Sequence, residues 1–205
     1  MKKKNLPPSI KPTVRKKAKP RPSKMQDEIR AAAPLLKGTV LVIDPSSGSE
    51  GSLPGFCLIE QGIITQSGVI AISRTKRAPE RLRELALALS ANFPPLDVLC
   101  IEYIPPFMAS AGQGGFRTQG VVNLHRAVGV VMACTQWKTL LQISPQSWHA
   151  WERKHIGPNY EKNDENDAIA MALCLMSIAG VKVENEAAIL PLLVMPGTSQ
   201  QKELT

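Results

Sequence analysis

Four carboxylates stand where they could act together. Asp44 and Glu102 each end an aliphatic run, GTVLVID and DVLCIE. Asp164 and Asp167 are three apart at the start of an apolar segment, so on a helix both face one side. In open sheets with helices on their faces, ligand sites gather at strand ends. Taken singly, each acid has an ordinary structural use. Asp44-Pro45-Ser46-Ser47 is a good turn initiator, Glu102 could be a solvated strand end, and Asp164 could be a first-turn acid favoured by the helix dipole. As a set they are harder to explain that way, because Asp44, Glu102 and Asp167 abut aliphatic runs that place them at the rim of a core. Clustered carboxylates repel unless cations lie between them. Oxygen-only ligands suit Mg²⁺ or Mn²⁺ rather than zinc. Two such ions about 4 Å apart can activate a water and stabilise the leaving oxygen in phosphodiester cleavage.

The elements that must position these acids follow from the hydropathy pattern. Strands are expected over Gly38–Asp44, Gly55–Gln61 and Ile63–Ile72, and the short turns between them make an antiparallel meander. Ala78–Asn92 carries Leu82, Leu85 and Leu89 on one face and predicts an amphipathic helix. Asp97–Glu102 reads as a fourth strand, followed by a Pro/Gly-rich loop from Pro105 to about Gly115. Gln119–Trp137 is apolar nearly all round, which predicts a buried or interface helix. Thr139–Ile143 is a fifth strand. Pro145–Lys154 begins a short helix with Ser144 as N-cap and Pro145 at the first position. Asp164–Ala179 is a helix ended by Gly180. This order gives a mixed sheet flanked by helices. No internal repeat is present.

The 205 residues are enough for one domain with a sizeable core. No run approaches the ~18 apolar residues of a membrane span, and the lysine-rich N-terminus lacks the apolar stretch of a secretory signal. Cys57, Cys100, Cys134 and Cys174 sit in apolar stretches with no C-x-x-C pair, so reduced core thiols are expected rather than a zinc site or a disulfide framework. The net charge of +8 is unevenly spread. Residues 1–30 hold 11 of the 25 Lys and Arg against only Asp27 and Glu28, a balance of +9, and the rest of the chain carries −1. We read 1–35 as a disordered basic tail with a short helix near Gln26–Ala33, 36–182 as the folded domain, and 183–205 as a partly flexible C-terminal extension. Such a tail attracts polyanions; a solubilising or localising extension is the alternative use.

The runs LVIDPSSGS, CIEYIPPF, SPQSW and NDENDAIAMALCL, in this order and spacing, resemble the RuvC-type Holliday-junction resolvases of the RNase H-like superfamily, in their compact phage and bacterial form. The resemblance covers roughly residues 38–180, and the D-x-x-D-A helix is its most specific part. It implies an α/β fold: an RNase H-like mixed five-stranded sheet, antiparallel in its first three strands, flanked by helices. It implies that Asp44, Glu102, Asp164 and Asp167 are the catalytic and metal-binding acids, holding two Mg²⁺ that Mn²⁺ can replace. The activity implied is that of a metal-dependent, structure-selective DNA endonuclease of the crossover-junction type, a hydrolase of recombination and repair. Its partners would be branched DNA and a second copy of the chain, with no membrane, in the cytoplasm of a bacterial or phage-infected cell, or a nucleus or organelle if the source is eukaryotic. The chain departs from the family pattern in two places. Asp-Pro-Ser-Ser replaces the compact Asp-Pro-Gly, and the stretch from Trp148 to Asp164 is short. Glu165, Asn163 and Glu161 compete with Asp164 for its role.

Lys154 and Lys162 are candidate DNA contacts by location. Tyr103, Phe107 and Phe116, flanking the loop after Glu102, could stack on unpaired bases or simply fill core, with Arg117 beside Phe116. Trp137, Trp148 and Trp151 read as packing residues. His125, His149 and His155 have no ligand spacing, although His149 lies near the expected active face. Two rival functions remain: an RNase H-like scaffold that binds branched DNA or nucleoprotein without cutting, and an actin-type nucleotide-binding kinase. The second needs a second domain and a further phosphate loop; Gly112-Gln113-Gly114-Gly115 lacks the Lys-Ser/Thr such a loop requires.

Overall fold

A computed structural model describes residues 23–45, 53–73, 75–104 and 116–194, leaving aside the side chains of 116–119. Its elements are α1 (Lys24–Ala31), a 3-10 turn (Leu35–Lys37), β1 (Thr39–Asp44), β2 (Gly55–Glu60), β3 (Ile63–Val69), α2 (Ala78–Asn92), β4 (Leu96–Glu102), α3 (Phe116–Cys134), β5 (Trp137–Ile143), α4 (Pro145–His155), α5 (Asp164–Ala179), α6 (Glu186–Ile189) and a second 3-10 turn (Leu190–Leu193). The five strands form one sheet in the order β3-β2-β1-β4-β5. β1–β2 and β2–β3 pair antiparallel, whereas β1–β4 and β4–β5 pair parallel. This is the expected mixed sheet with its antiparallel first three strands.

Period-two alternation sorts the central strands between two cores. On β1, Val40 and Val42 join the cluster under α1, α4 and α5, while Leu41 and Ile43 join the cluster under α2 and α3. All four are fully buried, as suits a central strand covered on both faces. On β4, Val98 and Cys100 face the α4/α5 side and Leu99 and Ile101 the other. The same alternation carries Asp44 and Glu102, the next even-numbered residues, toward α4 and α5.

α5 is the most deeply enclosed helix, with every residue from Asn166 to Met176 buried. Asn163 caps it by accepting the Asn166 N–H, and Gly180, at φ 70°, ends it in a left-handed turn. Ser144 caps α4 with Pro145 in the first turn. The four cysteines are free, and Cys57, Cys100 and Cys174 are buried. No helix among the described residues is long and apolar enough to cross a membrane.

Three expectations change. The helix expected near Gln26–Ala33 lies at Lys24–Ala31, and burial begins well before residue 36: Ile29, Ala32 and Leu36 all belong to the core on the α5 side. The basic charge around α1 hides a single apolar edge, which is enough to dock eight residues. At the other end, Val183 and Leu193 are buried in the same core, so the packed unit runs past 182. α3 is not enclosed all round. Only Ala127 and Val131 of its described side chains are buried, against α2, while Val122, Gly129 and Ala133 are exposed.

Candidate active site

Asp44 and Glu102 lie one step past the last paired residues of a parallel ladder, Ile43 opposite Ile101. The two strands therefore deliver both carboxylates to the same end and face of the sheet. α5 starts above that end. Its first turn supplies both Asp164 and Asp167, the latter 7% exposed. α5 comes this close because β2 begins with Gly55, paired with Asp44 across the ladder and lying directly against the Asp164 carbonyl. A side chain there would hold the helix off.

Electrostatics record the convergence. Burial pushes the Asp44 carboxyl well above the usual carboxylate range, and Glu102, Asp167 and Asp164 push it further, in that order; Lys162 opposes them. Burial also raises Glu102, against a hydrogen bond from Trp148. Asp167 is raised by burial, opposed by Tyr160, Lys162 and His149. The site is a low-dielectric concentration of negative charge with few facing cations.

Three of the acids accept defined hydrogen bonds. The Trp148 indole N–H donates to Glu102 Oε1 at 2.8 Å. The Tyr160 hydroxyl donates to Asp167 Oδ1 at 2.7 Å. The Leu53 backbone N–H donates to Asp164 Oδ2 at 2.8 Å. Two of the residues that compete with Asp164 in the sequence have side chains engaged elsewhere, and the third, Glu161, is held through its backbone. Glu165 accepts from the Ser67 hydroxyl on β3 at 2.6 Å, Asn163 is the helix cap, and the Glu161 carbonyl accepts from the Asn166 side-chain amide at 2.7 Å.

Among the described residues no three of these donors already enclose a space fit for a cation. The donor chemistry nevertheless suits a hard divalent ion: four carboxylates, no sulfur, and mutual repulsion that a cation would relieve. Asp44, Glu102, Asp164 and Asp167 are the residues that would hold it.

Lys162 is exposed beside the acids, and its charge acts on Asp44, Glu102 and Asp167. Together with His149 and Arg153 it lines a cleft of about 580 Å³ that also reaches Tyr160. Lys154 is exposed in the last turn of α4. Phe116 and Arg117 open α3. Phe107 and the glycine-rich segment 112–115 lie outside the described residues. Trp148 is more than the packing residue its sequence context suggests. Tyr160 carries no sequence signal at all, since it lies in an aperiodic turn between helices.

No protein-family model matches the chain, and no curated protein matches it. Among solved structures it is similar to Thermus thermophilus RuvC, in one structure at 15% identity (76% of this chain and 89% of that one, TM-score 0.39) and in another, in complex with a Holliday junction substrate, at 16% identity (71% and 98%, TM-score 0.48). It is similar also to the yeast mitochondrial Holliday junction resolvase Ydc2, at 13% identity over 84% of this chain and 93% of that one, with a TM-score of 0.48.

Proposed function

We propose that the protein is a divalent-metal-dependent, structure-selective DNA endonuclease that resolves Holliday junctions or other branched DNA by paired phosphodiester hydrolysis. The convergence of Asp44 and Glu102 from adjacent parallel strands with Asp164 and Asp167 from α5 carries this reading, and the motif resemblance supports it. Bound Mg²⁺ or Mn²⁺ would supply charge neutralisation at the scissile phosphate and activation of a water. The protein's own share is to hold the four carboxylates at one sheet end and to bring Lys162 close enough to offset developing negative charge. The basic segment before residue 23 would add affinity without sequence information, because phosphate contacts position rather than specify.

Paired cuts on a two-fold symmetric junction call for an isologous dimer. The exposed face of α3, where Gly129 and Ala133 permit close approach, is our choice of interface. Light scattering that finds a monomer both free and on junction DNA rejects that part.

The deciding experiment is cleavage of a labelled four-way junction by the purified protein with Mg²⁺ or Mn²⁺, with linear duplex as control and Asp44→Asn alongside. Metal-dependent, junction-selective nicking that Asp44→Asn abolishes is the expected result. The rival is a scaffold that binds branched DNA without cutting. Junction binding without nicking at any metal concentration would establish that rival.

A further inference from the structure

Two side chains outside the acid set reach into it. Trp148 is 3% exposed and sits one turn into α4. Its indole has one polar atom, and that atom donates to Glu102 Oε1 at 2.8 Å. Burial does not by itself dictate this. Trp151, on the same helix and 7% exposed, keeps its indole N–H buried with no hydrogen-bond partner among the described residues. Tyr160 is half-buried, and its hydroxyl donates to Asp167 Oδ1 at 2.7 Å. The Tyr160 backbone is held in turn by a bridge to Val194, and the next amide, of Glu161, donates to the Leu193 carbonyl at 2.9 Å.

We propose that Trp148 and Tyr160 are positioning residues for a divalent cation. Each ties down one oxygen of a carboxylate, Glu102 or Asp167, so that the carboxylate keeps a single orientation. The inference rests on the metal reading of the acid set. A carboxylate at a strand end or helix start can turn about its terminal bonds, and four like charges drive such turning apart. A fixed donor on one oxygen removes that freedom before the ion arrives. Partners of this kind typically change metal affinity by about 10- to 100-fold. The indole and phenol suit the role because neither can lose its proton readily and neither carries a charge that would compete with the ion.

The test is Mn²⁺ binding to the full-length protein by isothermal titration calorimetry, without DNA, with thermal melting of each variant in parallel. Trp148→Phe and Tyr160→Phe keep a ring and remove the donor. Each should raise the Mn²⁺ Kd by about tenfold or more. Trp151→Phe makes the same kind of ring change without removing a hydrogen bond, so it should lower the melting temperature yet leave the Kd unchanged. If Trp148→Phe and Tyr160→Phe bind Mn²⁺ as the unsubstituted protein does, the positioning role is overturned and the metal site stands. If all three variants weaken binding in step with their loss of melting temperature, the effect is general loosening and the role is again overturned. If the unsubstituted protein takes up no Mn²⁺, the metal reading fails and this inference falls with it.

Discussion

Gly55→Ala should damage the candidate site through the backbone, without touching any acid. A Cβ at residue 55 would fall on the Asp164 carbonyl oxygen, 2.6 Å from the carbonyl carbon and 3.3 Å from the Ala168 Cβ. Relaxed carbon–carbon contacts lie at about 3.5–4.0 Å and the oxygen is nearer still than the carbon, so more than about 1 Å of separation must be found. Neither side yields easily. Gly55 is locked in the ladder between Asp44 and Val69, and the obstacle on the other side is helix backbone. Overpacking of this size costs about 1–3 kcal/mol. At about 2 kcal/mol, a domain of this length loses about 4–8 °C in melting temperature. The first turn of α5 would move with the carbonyl, taking Asp164 and then Asp167 away from Asp44. A displacement of about 1 Å at a reacting centre can cost about 100-fold in rate. Gly120→Ala is the control: it lies on α3 away from the Gly129 and Ala133 face, with nothing within 4 Å of an added methyl, and should gain about 0.5–1 kcal/mol. The assays are thermal melting and single-turnover cleavage of a four-way junction at saturating metal. Wild-type melting by Gly55→Ala would refute the packing argument. Lowered melting with undiminished cleavage would refute the claim that this contact sets the position of the acids.

Asp44→Asn should stabilise the metal-free protein at neutral pH. An acid raised in the fold stabilises it while protonated and ceases to as pH rises through the folded value, so the gain over wild type should grow from pH ~4 upward. Melting in chelator at several pH values checks it, and a constant difference refutes it. Ile29→Ala should cost about 2–4 kcal/mol by urea unfolding, because α1 is core and not tail; a negligible cost would return α1 to the tail. Deleting residues 1–22, which carry nine Lys and Arg and no acid, leaves α1 intact. It should weaken junction and duplex binding by similar factors and flatten the dependence of log K on log salt by roughly 0.9 for each lost phosphate contact. An unchanged slope would rule out a role for this segment as a DNA arm.

Much of the fold is legible because the chain punctuates it. Asp164–Ala179 and Ala78–Asn92 form helices at the expected bounds, marked by Asn163 and Gly180 in one case and by Pro79 in the other. α3 is harder to read because apolar composition gives no sign of which face is covered; only the position of α2 decides that Ala127 and Val131 are inside. The docking of α1 rests on Ile29, one residue in a charged neighbourhood. At the site, the acids are visible because Asp44, Glu102 and Asp167 abut aliphatic runs and Asp164 stands three residues before Asp167. Their supporting donors are not. Trp148 and Glu102 are 46 residues apart in the chain, the Leu53 donor is a backbone amide that no residue type announces, and Tyr160 acts from a turn with no period.

The parallel pairing of β1 with β4 makes the sheet a ruler. Backbone hydrogen bonds set neighbouring strands about 4.7–4.9 Å apart whatever side chains they carry. Asp44 and Glu102 stand one step beyond the last rung, Ile43 opposite Ile101, so the peptide groups of the ladder set where their backbones leave the sheet. Apolar exchanges at Val42, Ile43, Cys100 or Ile101 that preserve the ladder will therefore change how firmly the protein folds and leave the gauge between these two acids as it is. Stability and acid spacing can drift independently in these two strands, whereas at Gly55 they cannot.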